Sequence, residues 1–290
     1  MKFREEKAPR TFISDAWDRL QRNRMAIVGL VVIVLLFVVA ICAPLLAPHD
    51  PIEQHLEDSH SPPGSKYPLG ADIKGRCLLS RLIYGTRVSL LVGFLPQFLS
   101  LFVAVVMGLV SGYYGGRVDD LIMRLADAFF AFPSLLFMMA LMFVLGPKGG
   151  LLGIILGLGV VGWAGRARIM RGQVLSIKER AYIEAARAVG ASDLRIIFRH
   201  VLPNCLAPLI VSTTMAIPGA IMTEAGLSFI GLGVPPPTPS WGEMLYSGRP
   251  YIRTMPWLSI WPGLAIFITV LSFNLFGDGL RDALDPYLKQ

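Results

Sequence analysis

Long apolar runs alternate with short polar intervals along most of the chain. Six runs contain no Asp, Glu, Lys or Arg: 25–43, 88–112, 128–146, 149–165, 205–223 and 257–277. A helix needs about 20 mainly apolar residues to cross the roughly 30 Å hydrocarbon core of a bilayer. The runs are close to that length, so the pattern predicts an all-α protein with six transmembrane helices in the lipid bilayer.

Composition and charge agree with this prediction. Hydrophobic residues make up 54% of the 290 residues and charged residues 16%, whereas a soluble domain averages about 25% charged residues. The net charge of +7 could suggest nucleic acid, but 19 of the 27 Lys and Arg residues fall on one side if the N-terminus is cytoplasmic. Positive charges concentrate on the cytoplasmic side of membrane proteins. We therefore predict cytoplasmic termini and no nucleic-acid partner.

Several residues predict local irregularities in the helices. Pro96 and Pro133 lie inside apolar runs, where proline bends or breaks a helix. Arg124 and Asp127 are three residues apart, a spacing that allows an ion pair on one helix face.

Glycines within the runs indicate close helix packing. Gly108 and Gly112 are four residues apart, which lets a second helix approach closely. The segment 157–162 formally matches a dinucleotide-binding fingerprint, but it lies inside an apolar run and not between a strand and a helix. We interpret these residues as packing glycines as well.

The polar interval 180–204 has internal order. Residues 181–189 are rich in good helix formers, and Gly190 can end that helix. Ser192 can cap a second helix, which Pro203 would end. Four apolar residues of the second helix are spaced to form one stripe: Leu194, Ile197, Phe198 and Val201. An amphipathic helix pair on the membrane surface would also fit this pattern.

The spacing within this interval resembles the EAA loop of ABC importer permeases. Glu184-Ala185-Ala186 is followed by Gly190 and then by a block that ends in Leu202-Pro203; His200 stands where the general pattern has Ile, as in the peptide/nickel branch. The resemblance implies a coupling helix that docks into a groove on a separate ATPase subunit. The implied docking residues are Tyr182, Glu184, Ala185, Ala186, Arg187, Gly190 and Ala191.

Further motifs are similar to the C-type subunit of the dipeptide/oligopeptide/nickel group. They are Gly75-Arg76, Ser80-Arg81, 85–90, 227–233 and 273–286. Cys77 stands where the group usually has Asp, which puts an acidic role at that position in doubt. The resemblance implies a type I ABC importer permease fold, a heterodimer with a B-type permease, two cytoplasmic ATP-binding subunits and an external substrate-binding protein in a bacterial inner membrane.

On this resemblance the chain divides into five parts. We expect a cytoplasmic N-terminal segment, a first transmembrane helix, an external loop, a permease core with helices two to six, and a cytoplasmic tail: 1–24, 25–47, 48–87, 88–280 with the EAA loop at 166–204, and 281–290.

The chain is expected to transport without covalent chemistry of its own. No Gly-x-x-x-x-Gly-Lys-Ser/Thr phosphate loop occurs in the sequence, so ATP and Mg²⁺ should be bound by the partner ATPase subunits, with no cofactor or catalytic residue here. His49, His55 and His60 share one loop but fit no standard metal spacing. We expect no metal site.

The path of the solute is the least defined feature. Thr213, Thr214, Met215 and Glu224 of the fifth run are candidates for its lining. An acid at membrane depth indicates function, whereas Glu224 at the outer interface would be unremarkable, and both readings stay open. Dipeptides, longer peptides, nickel chelates and other small solutes remain possible substrates. A self-sufficient secondary transporter is disfavoured because the runs carry almost no charge.

Overall fold

The computed structural model describes residues 12–146 and 149–284. In these residues the chain is built from α-helices, with no strand beyond one isolated bridge between Ala71 and Cys77. The helices are α1 (Phe12–Arg22), α2 (Arg24–Ile41), α3 (Ala43–Leu46), α4 (Leu78–Tyr114), α5 (Gly116–Ala131), α6 (Ser134–Leu145), α7 (Gly150–Lys178), α8 (Ala181–Ala188), α9 (Asp193–Ile196), α10 (Leu202–Phe229), α11 (Trp241–Gly248) and α12 (Trp257–Leu284). Parts of the predicted terminal segments, 1–11 and 285–290, lie outside the described residues.

Among the described residues, five helical stretches are long and apolar enough to cross a membrane: α2, α4, α7, α12 and the stretch from Asp193 to Phe229 that includes α10. A sixth span is formed if α5 and α6 are counted together, but these two helices are bent by 84°. The prediction that Pro133 bends this span is confirmed. The chain leaves the helical conformation at Phe132 and Pro133.

Two spans are longer than the charge-free runs predicted. Helix α4 begins at Leu78 and has 37 residues, so the last ten residues of the predicted external loop 48–87 are helical. Helix α7 continues to Lys178, so the first part of the predicted loop 166–204 is helical as well. The charged residues Arg81 and Arg166 interrupted the runs, but both are buried in the protein and the helices continue through them. Helix α4 also continues through Pro96.

The centre of the molecule is the packing of α4 against α7. A Cβ placed on Gly108 would lie 2.5 Å from Met170 Cβ, and one on Gly159 would lie 2.5 Å from Leu99 Cδ2. A Cβ on Gly112 would lie 2.8 Å from Val174 Cβ. Real side chains do not approach this closely, so the interpretation of these residues as packing glycines is confirmed.

The first and last described helices meet at one end of the bundle. Leu20 of α1, Ala26 of α2 and Ala283 of α12 form a small buried cluster. A Cβ on Gly279 would lie 2.2 Å from Ala26 Cβ, so α2 and α12 pack closely there. The opposite end of α2 is capped by Arg87, whose Nη2 donates to Ile41 O at 3.0 Å. A cation at the carboxyl end of a helix stabilises its dipole.

Candidate coupling segment and central cavity

The polar interval forms a short protruding unit at one end of the bundle. Helix α8 spans Ala181–Ala188, as predicted. Ile183 is its buried residue and packs against Ile196, Ile197 and Val201. The predicted docking residues are mostly exposed, with Ala186 and Ala191 half-buried. One apolar residue therefore anchors a helix whose other faces are open.

Gly190 makes the turn after α8. Its φ is +81°, and a Cβ there would have nothing within 4 Å. The left-handed conformation costs a residue with a side chain about 1–2 kcal/mol, so glycine is needed here for its backbone and not for space. The prediction that Gly190 ends the first helix is confirmed, and its part in docking stays a prediction.

The second helix of the interval differs from the prediction. Residues Ile197–Val201 form a turn of π-helix, which inserts one extra residue per turn and shifts the buried face. Ile197 and Val201 are buried, whereas Leu194 and Phe198 are 65% and 63% exposed, so the four residues of the predicted stripe do not form one buried face. Pro203 does not end this helix; it lies in the first turn of α10, where a missing N–H costs nothing. Ser192 occupies the N-cap position of α9, but its side chain makes no capping hydrogen bond.

The segment is tied to the end of α4 by contacts that the sequence did not indicate, and that end is in turn joined to α7 by Lys178 Nζ, which donates to Gly112 O at 3.0 Å. Tyr113 Oη of α4 donates to Asp193 Oδ1 at 2.6 Å. The guanidinium of Arg187 lies 5.7 Å from the centroid of the Tyr113 ring. These contacts join the protruding unit to the central helix pair.

Exposed apolar side chains surround the turn. Val189 is 84% exposed, and Tyr182, Leu194 and Phe198 are exposed as well. Clustered exposed apolar residues mark protein interaction sites. Val189, Leu194 and Phe198 were not among the predicted docking residues, although their apolar side chains near Gly190 were visible in the sequence.

Two aspartates of α5 pair with arginines of α7. Asp127 pairs with Arg168 of α7 and not with Arg124, so that predicted ion pair is wrong. Asp119 accepts from Arg171 Nη2 at 2.5 Å and from Nε at 2.6 Å. Both pairs connect α5 to α7.

A cavity of about 390 Å³ lies between α4, α6, α7 and α10. Its polar lining comes from five residues: Gln97, Ser134, Arg166, Ser212 and Thr223. Arg166 is buried and donates to Gln97 Oε1 and to Ser100 Oγ. The expectation of nearly charge-free spans is therefore wrong at this residue. Gln97 and Ser100, three residues apart in an apolar run, were a signal of a polar helix face.

The four predicted lining residues are not among those that line this cavity. Thr214 Oγ1 donates to Ile210 O at 2.9 Å, and Thr213 Oγ1 is buried without a partner in the described part of the chain. Met215 packs near Gly277. Their role in transport stays a prediction.

Glu224 is 1% exposed and lies beneath the start of α11. Its Oε1 accepts from Ser228 Oγ at 2.8 Å and from Ser240 Oγ at 2.9 Å. The residue is therefore enclosed by protein and not exposed at the outer interface. Its function stays a prediction.

The motif around Cys77 forms a buried charge network at the opposite end from α8. Asp72 Oδ2 accepts from Arg76 Nε at 2.7 Å, and Glu243 Oε2 accepts from Arg81 Nη2 at 2.5 Å. Arg81 Nε also lies 3.6 Å from Asp72 Oδ2. Cys77 is buried beside this network. Because Asp72 and Glu243 already neutralise the two arginines, no acid is needed at position 77.

The three histidines of the loop before α4 have different neighbours. His49 and His60 stack near Tyr67 and Tyr251, respectively. His55 lies near Glu57 and Asp58, with possible ligand atoms within 4.8 Å of one another. Asp58 is engaged by Lys66 Nζ at 2.5 Å and Tyr67 Oη at 2.9 Å.

A multi-span helix bundle with a protruding EAA segment defines the chain as a membrane permease of the ABC importer class. Residues 104–290 match the family described as "binding-protein-dependent transport system inner membrane component", and residues 11–63 match "N-terminal TM domain of oligopeptide transport permease C". The chain belongs to this family of importer permeases, and the predicted C-type resemblance is confirmed.

Similar proteins agree with this assignment. The chain is 42% identical to the dipeptide transport system permease protein DppC of Bacillus subtilis, over 97% of this chain and 87% of that protein. It is 44% identical to the di/tripeptide transport system permease protein DppC of Pseudomonas aeruginosa, over 96% and 93%.

A solved structure supports the fold. The inward-facing MetNI methionine ABC transporter matches with a TM-score of 0.58 and 21% identity, over 72% of this chain and 98% of that chain. The predicted type I importer fold is confirmed.

Proposed function

We propose that this chain forms half of the translocation path of an ATP-driven importer of short peptides, paired with a B-type permease subunit. Relatives at 42–44% identity carry dipeptide, oligopeptide and di/tripeptide transport in their names. The observation that carries the proposal is the protruding unit around Gly190, anchored by Ile183 and open on its other faces.

The protruding unit couples ATP hydrolysis to the spans. Val189 and its exposed apolar neighbours dock into a groove on a separate ATPase subunit. When two ATPase subunits close on ATP, α8 moves with them. The buried contacts of Ile183 and the bond between Tyr113 and Asp193 pass this motion to α4 and α7.

ATP and Mg²⁺ are bound by the ATPase subunits, and this chain performs no hydrolysis. The end of the bundle that carries α8 faces the bacterial cytoplasm, together with both termini. The opposite end, with α11 and the loop before α4, receives an external substrate-binding protein. The positive charges of the sequence support this orientation.

The test is purification of the tagged chain from native membranes in mild detergent. We expect a second permease and two ATPase subunits to copurify, with ATP hydrolysis stimulated by the binding protein. A Val189→Asp variant should lose the ATPase subunits and keep the permease partner. Ile252→Asp is the matched control, because Ile252 is exposed at the opposite end of the bundle. A chain recovered alone, yet active in uptake, would contradict the proposal and favour a secondary transporter.

A further inference from the structure

Arg166 is a buried cation whose protein partners are uncharged. It is 6% exposed and donates to Gln97 Oε1 and Ser100 Oγ, both on α4. Within residues 12–146 and 149–284, no carboxylate pairs with it. A buried charge is costly unless an opposite charge compensates it, and in membrane proteins such residues mark substrate paths.

Two other buried arginines show the usual solution. Arg76 pairs with Asp72, and Arg81 pairs with Glu243. Arg166 differs from them because its side chain borders a cavity of about 390 Å³, a volume within the range of small-molecule sites.

The residues around the guanidinium keep this space open. A Cβ on Gly162 would lie 2.9 Å from Ser100 Oγ and 3.5 Å from Arg166 Nη1, and a Cβ on Gly219 would have nothing within 4 Å. Ser212 and Thr223 bring hydroxyl groups to the wall formed by α10. A guanidinium has five N–H donors, and its two hydrogen bonds here use two of them.

We propose that Arg166 binds the carboxylate of the transported solute within the cavity. The planar guanidinium matches a carboxylate through two parallel hydrogen bonds. Every linear peptide with a free C-terminus carries one such group, so a single site serves peptides with different side chains. The inference rests on the proposed function and names the chemical group that the path recognises.

The test compares a peptide with its C-terminal amide, which lacks the carboxylate and keeps the amino group. The complete complex, reconstituted in liposomes with its binding protein, is assayed for uptake of dialanine and of dialanine amide. The quantity measured is the ratio of the two uptake rates. The same binding protein is present throughout, so a change in this ratio between variants belongs to the permease.

Two variants remove the free charge in different ways. Arg166→Gln deletes it, and Gln97→Glu places a carboxylate beside Arg166 without removing the arginine. Gln97→Glu guards against misfolding, because it adds a partner for the buried cation. Each should lower the ratio about tenfold to a hundredfold, the usual effect of losing hydrogen bonds to a charged group. Arg168→Gln is the matched control, since Arg168 is exposed on the same helix and pairs with Asp127; its ratio should stay at the wild-type value.

The outcomes separate this inference from the proposed function. If the ratio is unchanged in both variants, the carboxylate site is overturned. This includes the case in which the uptake rates of dialanine and its amide fall equally. If ATP hydrolysis is still stimulated by the binding protein, the proposed importer function is retained. Equal loss would mean that the counter-charge comes from the partner subunit or a lipid phosphate. Failure of the wild-type complex to take up any peptide contradicts the proposed substrate class, and the inference falls with it.

Discussion

Tyr113 at the end of α4 donates a 2.6 Å hydrogen bond to Asp193, 80 residues later at the start of α9. This bond links the central helix pair to the protruding unit. Tyr113→Phe removes the hydroxyl and should weaken the attachment of the protruding unit to α4 by about 1–3 kcal/mol of interaction free energy, because the acceptor is a carboxylate. We expect normal assembly with the ATPase subunits but fewer solutes imported per ATP, measured in proteoliposomes. Tyr114→Phe is the control, since Tyr114 is exposed; an equal loss in both variants would contradict the assigned role.

The effect of a substitution at Gly190 should depend on whether the new residue can adopt a positive φ, and not on the size of its side chain. Gly190→Val should reduce coupled uptake, because φ at +81° costs a β-branched residue about 1–2 kcal/mol or more. Gly190→Asn should retain most activity, since Asn adopts this conformation more readily. Gly172→Ala in α7, where a Cβ also meets nothing within 4 Å, should leave uptake unchanged. Full uptake by Gly190→Val would refute the need for this turn.

The pair of Arg81 and Glu243 should dominate the stability of the end opposite α8. Arg81→Met leaves Glu243 as a buried, unpaired charge, at a cost of about 3–5 kcal/mol. The double variant Arg81→Met/Glu243→Gln should recover most of that loss, because neither charge remains. Thermal unfolding of the complex in detergent measures both. Additive destabilisation in the double variant would show that the two side chains act independently.

The ion pair between Asp58 and Lys66 should make the stability of the loop before α4 depend on pH. The hydrogen bond from Lys66 lowers the pKa of Asp58 from its usual 3.8, and the same bond raises the pKa of Lys66 from 10.5. The lowered pKa of Asp58 stabilises the fold above about pH 4, and this contribution is lost as the pH falls through the folded pKa. The raised pKa of Lys66 stabilises it below about pH 10, and this is lost at higher pH.

Limited proteolysis of the loop checks this pH dependence. Wild type should be more resistant than Asp58→Asn at pH 7, and the difference should shrink as the pH falls below about 4. Glu53→Gln serves as the control, because Glu53 is exposed in the same loop and does not contact Lys66. A difference that does not decrease at all below about pH 4 would show that the variant acts through something other than charge.

Local sequence features predicted much of the fold. The apolar runs located the spans, Pro133 located the break between α5 and α6, and Gly190 located the turn after α8. Each of these depends on properties of one short segment: transfer of apolar residues into lipid, a missing backbone N–H, or a positive φ. For such features the sequence alone is sufficient, and the EAA spacing added the family.

Tertiary structure decided the features that depend on distant partners. The charge of Arg166 looked like the start of a cytoplasmic loop until α4 supplied Gln97 and Ser100 as acceptors. Asp127 found Arg168 across the helix interface and not Arg124 on its own helix. Within one turn of π-helix, Ile197 and Val201 are buried while Phe198 of the same predicted stripe is exposed. The sequence predictions assumed that a charged residue faces water and that a helix keeps a regular period. Contacts between distant segments can bury a charge or change the helical period, and only the tertiary structure shows these contacts.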